Sequence, residues 1–374
     1  MLYRLISIAV LTITLSLSLA ANVFANEARL ENFNDFVTEF TLLCGTVSVK
    51  AVSDEAIWAR GSRPPYRGNL FNSSDHGITW EMVYTFDKPI EGIFIDEPGN
   101  IFVSVAADRW SARPNGVLFK SSDGGETFTG VLAIRAGSIL NWNMAAGNGV
   151  MFVSEYGYKG NSGNNARRIY RSLNHGDTWE VVFSPEPRAE WHNHKILVTR
   201  EGVIYQSIGD GKNAHIIKSS DNGNTWETVI ERFHPTSAIE FETHILWGLD
   251  SGPVSGISRY DKETGEMEIA FTLPEPFSGS FYDMAYADGI VYAITVSYSG
   301  AHHPASIWYS RDEGDTWNLL GRIDKYPYHG VGLWNIVTDH KYGYISIQTP
   351  LYRNGKVEFY WGTLRFELVQ QNGS

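Results

Sequence analysis

The chain has 374 residues, 43% of them hydrophobic, with 30 basic and 42 acidic side chains and a formal charge of −12. That balance lacks the basic footprint that displaces counterions from a phosphate backbone, so it argues against a nucleic-acid partner. The one cysteine, Cys44, excludes an internal disulfide and reads as a small buried hydrophobe.

Taken in chain order, the first element is a secretory signal peptide over residues 1–25. Arg4 precedes an uncharged run, Ile6 to Ala20, and Val23-Phe24-Ala25 places the cut after Ala25. The run sits near the lower limit of the roughly 17–25 residues that a spanning helix needs. No later segment is long and apolar enough to cross a bilayer. The mature chain is therefore expected to be secreted or periplasmic, probing no membrane once the signal is removed, and monomeric. Residues 26–45 follow, and their apolar part, residues 34–43, is expected to add a strand that closes the last repeat. Residues 46–370 are expected to form a single domain.

Within that domain one octet recurs. It reads Ser73-Ser-Asp75-His-Gly77-Ile-Thr79-Trp80, then Ser121-Ser-Asp123-Gly-Gly125-Glu-Thr127-Phe128, then Ser172-Leu-Asn174-His-Gly176-Asp-Thr178-Trp179. Two further copies are Ser219-Ser-Asp221-Asn-Gly223-Asn-Thr225-Trp226 and Ser310-Arg-Asp312-Glu-Gly314-Asp-Thr316-Trp317. The first four copies are 47 to 51 residues apart, and the last gap is about twice that. A decayed copy around Ser258, Asp261 and Gly265 fills it. A period in the forties fits one four-stranded propeller blade per repeat. Each octet is expected to be a hairpin turn, pinned by backbone N–H groups on the Asp carboxylate, with Gly free to take positive φ. Short strand runs flank every octet, and no segment shows sustained helical spacing. The expected fold is all-β, a seven-bladed β-propeller with blades at 46–86, 90–134, 139–183, 190–231, 238–273, 281–323 and 332–367. Six blades is the alternative.

The pattern Ser-x-Asp-x-Gly-x-Thr-Trp resembles the Asp-box (BNR) repeat of sialidases, other glycosidases, propeller polysaccharide lyases and related receptors and assembly factors. The resemblance covers nearly the whole mature chain, and it implies architecture rather than activity. It also implies that the boxes lie on the periphery and carry no chemistry. A sialidase further needs an arginine triad, a Tyr-Glu pair and an early Arg-Ile-Pro segment. Here Arg60-Gly-Ser-Arg63-Pro64-Pro65 departs from that motif.

Candidate chemistry is expected where inner strands start and where their loops enter the channel. In Trp191-His192-Asn193-His194 two imidazoles stand two residues apart, on one face of a strand. Imidazole is the natural general base near neutral pH and a frequent metal ligand. The bland reading is a pair of histidines hydrogen-bonded between blades. The same location in other repeats carries Trp142, Asn143, Tyr282 and Trp334. Loops after second strands add Glu155, Asp210 and Asp250. Aromatic faces suit sugar rings, and carboxylates suit hydroxyls or glycosidic chemistry, although loop carboxylates commonly cap turns.

The run through His192 and His194, together with Trp247, Asp250 and Arg259, resembles a group of microbial Asp-box propellers and, more loosely, seven-bladed polysaccharide lyases. That resemblance implies a base at His192 or His194 and a carboxylate neutraliser at Arg259. The catalytic candidates are thus His192, His194, Arg259 and Glu155. The substrate-binding candidates are Trp142, Asn143, Asp210, Asp250, Tyr282 and Trp334. The expected activity is cleavage of a polysaccharide or oligosaccharide, by uronic-acid β-elimination or by glycosidic hydrolysis. A non-catalytic glycan- or protein-binding propeller and an assembly factor for exported proteins are the alternatives. No cofactor is required by the sequence, and a divalent metal stays open. No phosphate loop, Cys/His zinc signature or serine nucleophile elbow is present.

Overall fold

A computed structural model describes residues 41–44, 47–62, 66–106, 116–134, 138–157, 167–184, 192–250, 256–296, 304–323, 332–353 and 356–369. The expected signal segment 1–25, Arg63-Pro64-Pro65 and Trp191 lie outside these residues. The fold is all-β and consistent with a β-propeller. Five four-stranded antiparallel sheets span residues 47–85, 90–134, 144–183, 193–231 and 235–272. In each, the strands pair in chain order. An eight-stranded sheet completes the set. It joins the strands of 280–323 to those of 332–367 through one bridge, Val296 to Gly332. Thr41–Cys44 adds to its edge against Lys356–Glu367, with Thr41 opposite Arg365.

The first strand of each group lies against the first strand of the next. The short turn Asn141–Asn143 makes this contact for the third sheet, and Gly332–Thr338 returns to Val47–Val52. The apolar clusters lie between successive sheets. One example is Ile90, Ile101 and Val103 packed with Trp58 and Leu70. The seam between the ends of the chain is sewn by small hydroxyls. Ser346 Oγ donates to Val49 O (2.7 Å), Thr363 Oγ1 to Val47 O (3.1 Å), and Ser48 Oγ meets Ser346 Oγ at 2.9 Å. All of these groups are buried, so each hydroxyl is satisfied where water cannot reach.

The octets form the turns between third and fourth strands. In the first, Ser73 Oγ donates to Asp75 Oδ1 (2.8 Å) and accepts from Gly77 N (2.8 Å), while Thr79 N donates to Asp75 Oδ1 (2.8 Å). The same set recurs around Asp123, Asp221 and Asp312. Asn174 takes the same role through its amide oxygen, accepting from Thr178 N at 3.0 Å. In the decayed copy, Asp261 accepts instead from Glu263 N (2.9 Å) and Thr264 N (2.7 Å). Gly125, Gly176, Gly223 and Gly314 take positive φ and press on the second strand of the preceding sheet. A Cβ at Gly125 would meet Trp58 at 3.2 Å and one at Gly223 would meet Phe152 at 3.1 Å. The octet therefore fastens its own hairpin and docks it on its neighbour.

Candidate functional site

The sequence places a histidine at the start of two successive sheets. His192 directly precedes the strand Asn193–Val198, and His234 directly precedes Pro235–Glu240. An aspartate follows each second strand, Asp210 after Ile204–Ile208 and Asp250 after His244–Leu249. The antiparallel pairing brings start and end together. Gly209 N donates to His192 O (2.8 Å), and Asp250 N donates to His234 O (3.0 Å). Two equivalent His–Asp corners thus stand side by side, and His194 enters between them from the first strand.

The side chains converge on one atom. Asp210 Oδ1 lies 3.5 Å from His192 Nε2, 3.2 Å from His194 Nε2 and 3.0 Å from His234 Nε2. His234 Nε2 also lies 3.8 Å from Asp250 Oδ2 and 3.2 Å from His194 Nε2. The imidazoles are buried, whereas the Asp210 side chain is 49% exposed, so solvent reaches the cluster from its side. Burial, reinforced by the neighbouring His192, pulls the His194 ring down to about 3, and burial lowers His192 as well. Burial pushes Asp210 up, but the bonds from His194 and His234 outweigh it and hold its carboxyl well below the usual range. At neutral pH Asp210 is therefore ionised and faces neutral His192 and His194 rings. Two overlapping groups, His192–His194–Asp210 and His194–His234–Asp250, have their ligand atoms within 4.8 Å of one another and could hold a metal ion.

Aromatic rings pack beside the cluster. Trp142 stacks on His194 at 6.0 Å between centroids, and Tyr156 meets His192 edge-on at 4.8 Å. Trp142 also meets Tyr282 at 5.0 Å, and Tyr282 meets Trp334 at 4.8 Å. Trp142 lies in the turn before the third sheet, and Tyr282 and Trp334 lie on two strands of the eight-stranded sheet. Lys195 and Asp283, both partly buried, lie close enough to act on each other's charge. Burial pulls the Lys195 ammonium down and pushes the Asp283 carboxyl up, each charge partly sustaining the other. Asp283 Oδ2 accepts from Ile336 N and Asn335 Nδ2, both at 3.0 Å.

Of the residues singled out from sequence, His192, His194, Asp210, Asp250 and Trp142 meet at this site. Tyr282 and Trp334 join it through tilted and edge-on ring contacts, and Tyr282 is 9% exposed. Asn143 is fully buried, and its amide donates to Asn193 O (3.1 Å) and His194 O (2.7 Å), which positions the histidine strand. Glu155 is also fully buried and accepts from Tyr170 Oη (2.8 Å) and Arg168 N (3.2 Å). It serves as an internal acceptor rather than a group facing ligand.

Arg259 requires a correction, because it is not beside the histidines. It pairs across from Leu246, four residues before Asp250 and hence about 13 Å along the strand. There its guanidinium binds Asp315 and, at 3.4 Å, Glu268. The neighbouring octet supplies Asp315, so Arg259 belongs to the box end of the sheet. His234 was missed from sequence because Pro235 follows it. Proline reads as a loop, which set the expected start of this repeat at residue 238. Proline is nevertheless tolerated as the first residue of a strand, and the strand begins there.

No family model matches the chain. It is similar to xyloglucanase Xgh74A of Acetivibrio thermocellus, 24% identical over 254 residues, covering 59% of this chain and 29% of that protein. The chain thus spans less than a third of that relative's length. Among solved structures it is similar to the GH74 xyloglucanase of Xanthomonas campestris, with TM-score 0.61 and 12% identity, covering 86% of this chain and 55% of the other. The GH74 enzyme of Niastella koreensis gives TM-score 0.54 and 15% identity, covering 75% and 46%. The extracellular domain of a one-component system from B. thetaiotaomicron gives TM-score 0.56 and 11% identity, covering 88% and 40%. At these identities the likeness shows the fold alone. No helix among the described residues is long and apolar enough to cross a membrane.

Proposed function

We propose that this chain is an exported, seven-bladed Asp-box propeller that hydrolyses a polysaccharide at the His192–His194–His234–Asp210 corner. The observation that carries the reading is the half-exposed Asp210, held ionised in contact with three buried imidazoles. Glycoside hydrolysis uses two carboxyl groups about the scissile bond. Asp210 and Asp250 flank His234 Nε2 at 3.0 and 3.8 Å, and they are the pair for that task. Asp210 is the base that activates water, and the imidazoles fix its position and protonation state. The xyloglucanase names of the sequence and structural relatives favour hydrolysis. Arg259, the neutraliser expected for uronate elimination, is bound to Asp315 and Glu268 at the octet end of its sheet and does not serve at this corner.

The test is turnover of a panel of neutral and anionic polysaccharides. New reducing ends without ultraviolet-absorbing unsaturated products are expected, and Asp210→Asn is expected to lower the rate by about 100-fold or more, in the range of a lost acid–base group. Unsaturated products would replace hydrolysis by elimination. A polymer that binds without being cleaved would make the protein a glycan-binding module.

A further inference from the structure

Three imidazole nitrogens crowd one carboxylate oxygen. Asp210 Oδ1 lies 3.5, 3.2 and 3.0 Å from Nε2 of His192, His194 and His234, and the Nε2 atoms of His194 and His234 face each other at 3.2 Å. Imidazole nitrogens and a carboxylate oxygen gathered this closely are the donor atoms that a transition-metal ion takes.

We propose that His192, His194, His234 and Asp210 ligate one divalent transition-metal ion, with Asp250 beside the set. The spacing fits. Ligand distances of about 2.0–2.2 Å around a tetrahedral zinc put neighbouring donor atoms roughly 3.3–3.5 Å apart. The three contacts to Asp210 Oδ1 and the His194–His234 contact run from 3.0 to 3.5 Å, and His192 lies within 4.8 Å of His194. The donor set selects the class of ion. Three imidazole nitrogens and one carboxylate suit zinc, iron or nickel, and they suit calcium and magnesium poorly, since those ions take all-oxygen shells.

The donors are also held in place before any ion arrives. His192 and His234 occupy the same position in successive sheets, each pinned by a backbone bond to the loop that carries its aspartate. Asn143 Nδ2 fixes the His194 carbonyl at 2.7 Å, and Trp142 and Tyr156 wall the rings. The half-exposed Asp210 supplies an entry path and leaves room for a ligand oxygen. The four donors come from two sheets, so the ion would bridge them.

This inference does not rest on the hydrolase reading, and the experiment separates the two. The tag-free chain is stripped with a chelator, dialysed and titrated calorimetrically with Zn²⁺, Ni²⁺ and Ca²⁺. One Zn²⁺ per chain is expected, with affinity at least 100-fold above Ca²⁺ and a higher melting temperature on zinc addition. Co²⁺ is expected to give the visible absorbance of a four-coordinate nitrogen–oxygen site. In His234→Gln and, separately, Asp210→Asn, both confirmed folded by circular dichroism, zinc affinity is expected to fall at least 100-fold and the cobalt spectrum to vanish. Absence of stoichiometric zinc binding by the wild-type chain overturns the proposal. So does unchanged binding by either folded variant. Zinc binding without polysaccharide cleavage leaves the metal site standing and removes the hydrolase reading. Cleavage with no metal bound does the reverse.

Discussion

Glu155 and Asp210 are both acidic residues just past a second strand, yet their neighbours give them opposite roles. Glu155 is fully buried and engaged by Tyr170 Oη and Arg168 N, while Asp210 is half exposed and faces imidazoles. Tyr170→Phe removes a hydrogen bond to a buried carboxylate. It is expected to cost about 1–3 kcal/mol, read as a lower urea midpoint, with turnover per folded molecule unchanged. A loss of turnover at full folding would move Glu155 into the chemistry. His194→Ala is expected to act the other way, abolishing turnover and zinc binding while the far-ultraviolet spectrum persists. The pair His192 and His194 was legible in sequence through its two-residue spacing. His234 left a signal too, a histidine one residue ahead of a first strand, as at His192, but Pro235 hid the strand that follows.

At the scale of the element, the octet is a closed hydrogen-bond unit, which is why it could be read from eight residues. The hydroxyl of Thr127 and the backbone N–H of Thr225 lead the groups that hold Asp123 and Asp221 down to about 2, and Asp75, Asp261 and Asp312 are also lowered. A carboxyl whose folded value is depressed contributes stability above its ordinary value of about 3.8 and loses it as pH falls through the folded value. The melting temperature is therefore expected to hold from neutrality to about pH 4.5 and to fall steeply between about pH 4 and 2. A double Asp123→Asn, Asp221→Asn variant is expected to fall less steeply, since an amide at this position still accepts the threonine N–H, as Asn174 does. An equal slope in that variant would assign acid unfolding to other groups. Docking of the octets adds a second constraint. Gly176 has φ +80° and presses on the Phe102 ring of the preceding sheet. Gly176→Ala is expected to cost roughly 2–4 kcal/mol, from left-handed strain of about 1–2 kcal/mol plus overpacking. A thermal midpoint within a degree of wild type would show that the sheets can separate there at little cost.

For the whole molecule, the first and last sheets share a seam, and the chain's early strand Thr41–Cys44 covers the edge of Lys356–Glu367. An uncovered edge strand is a template for pairing with other chains. A chain beginning at residue 47 is expected to melt at lower temperature and to scatter light on heating, with an intact secondary-structure spectrum at 20 °C. If its midpoint and solubility equal those of the longer chain, the strand is dispensable and the hydroxyl seam at Ser48, Ser346 and Thr363 suffices. The same closed arrangement gathers the site. Residues 142, 156, 210, 234 and 282 are far from the pair 192 and 194 along the chain and come beside it only where inner strands meet.

The sequence alone determined the local turns, the four-strand repeat and one histidine pair, because each is encoded within a few residues of itself. Octet hydrogen bonds span four residues, and strand alternation spans two. The tertiary structure decided the rest, because it depends on which repeats stand side by side. Packing of neighbouring sheets added His234 to the cluster, buried Glu155 beneath Tyr170 and turned the aromatic residues onto one another. It also carried Arg259 to the octet end, about 13 Å along its sheet from Asp250.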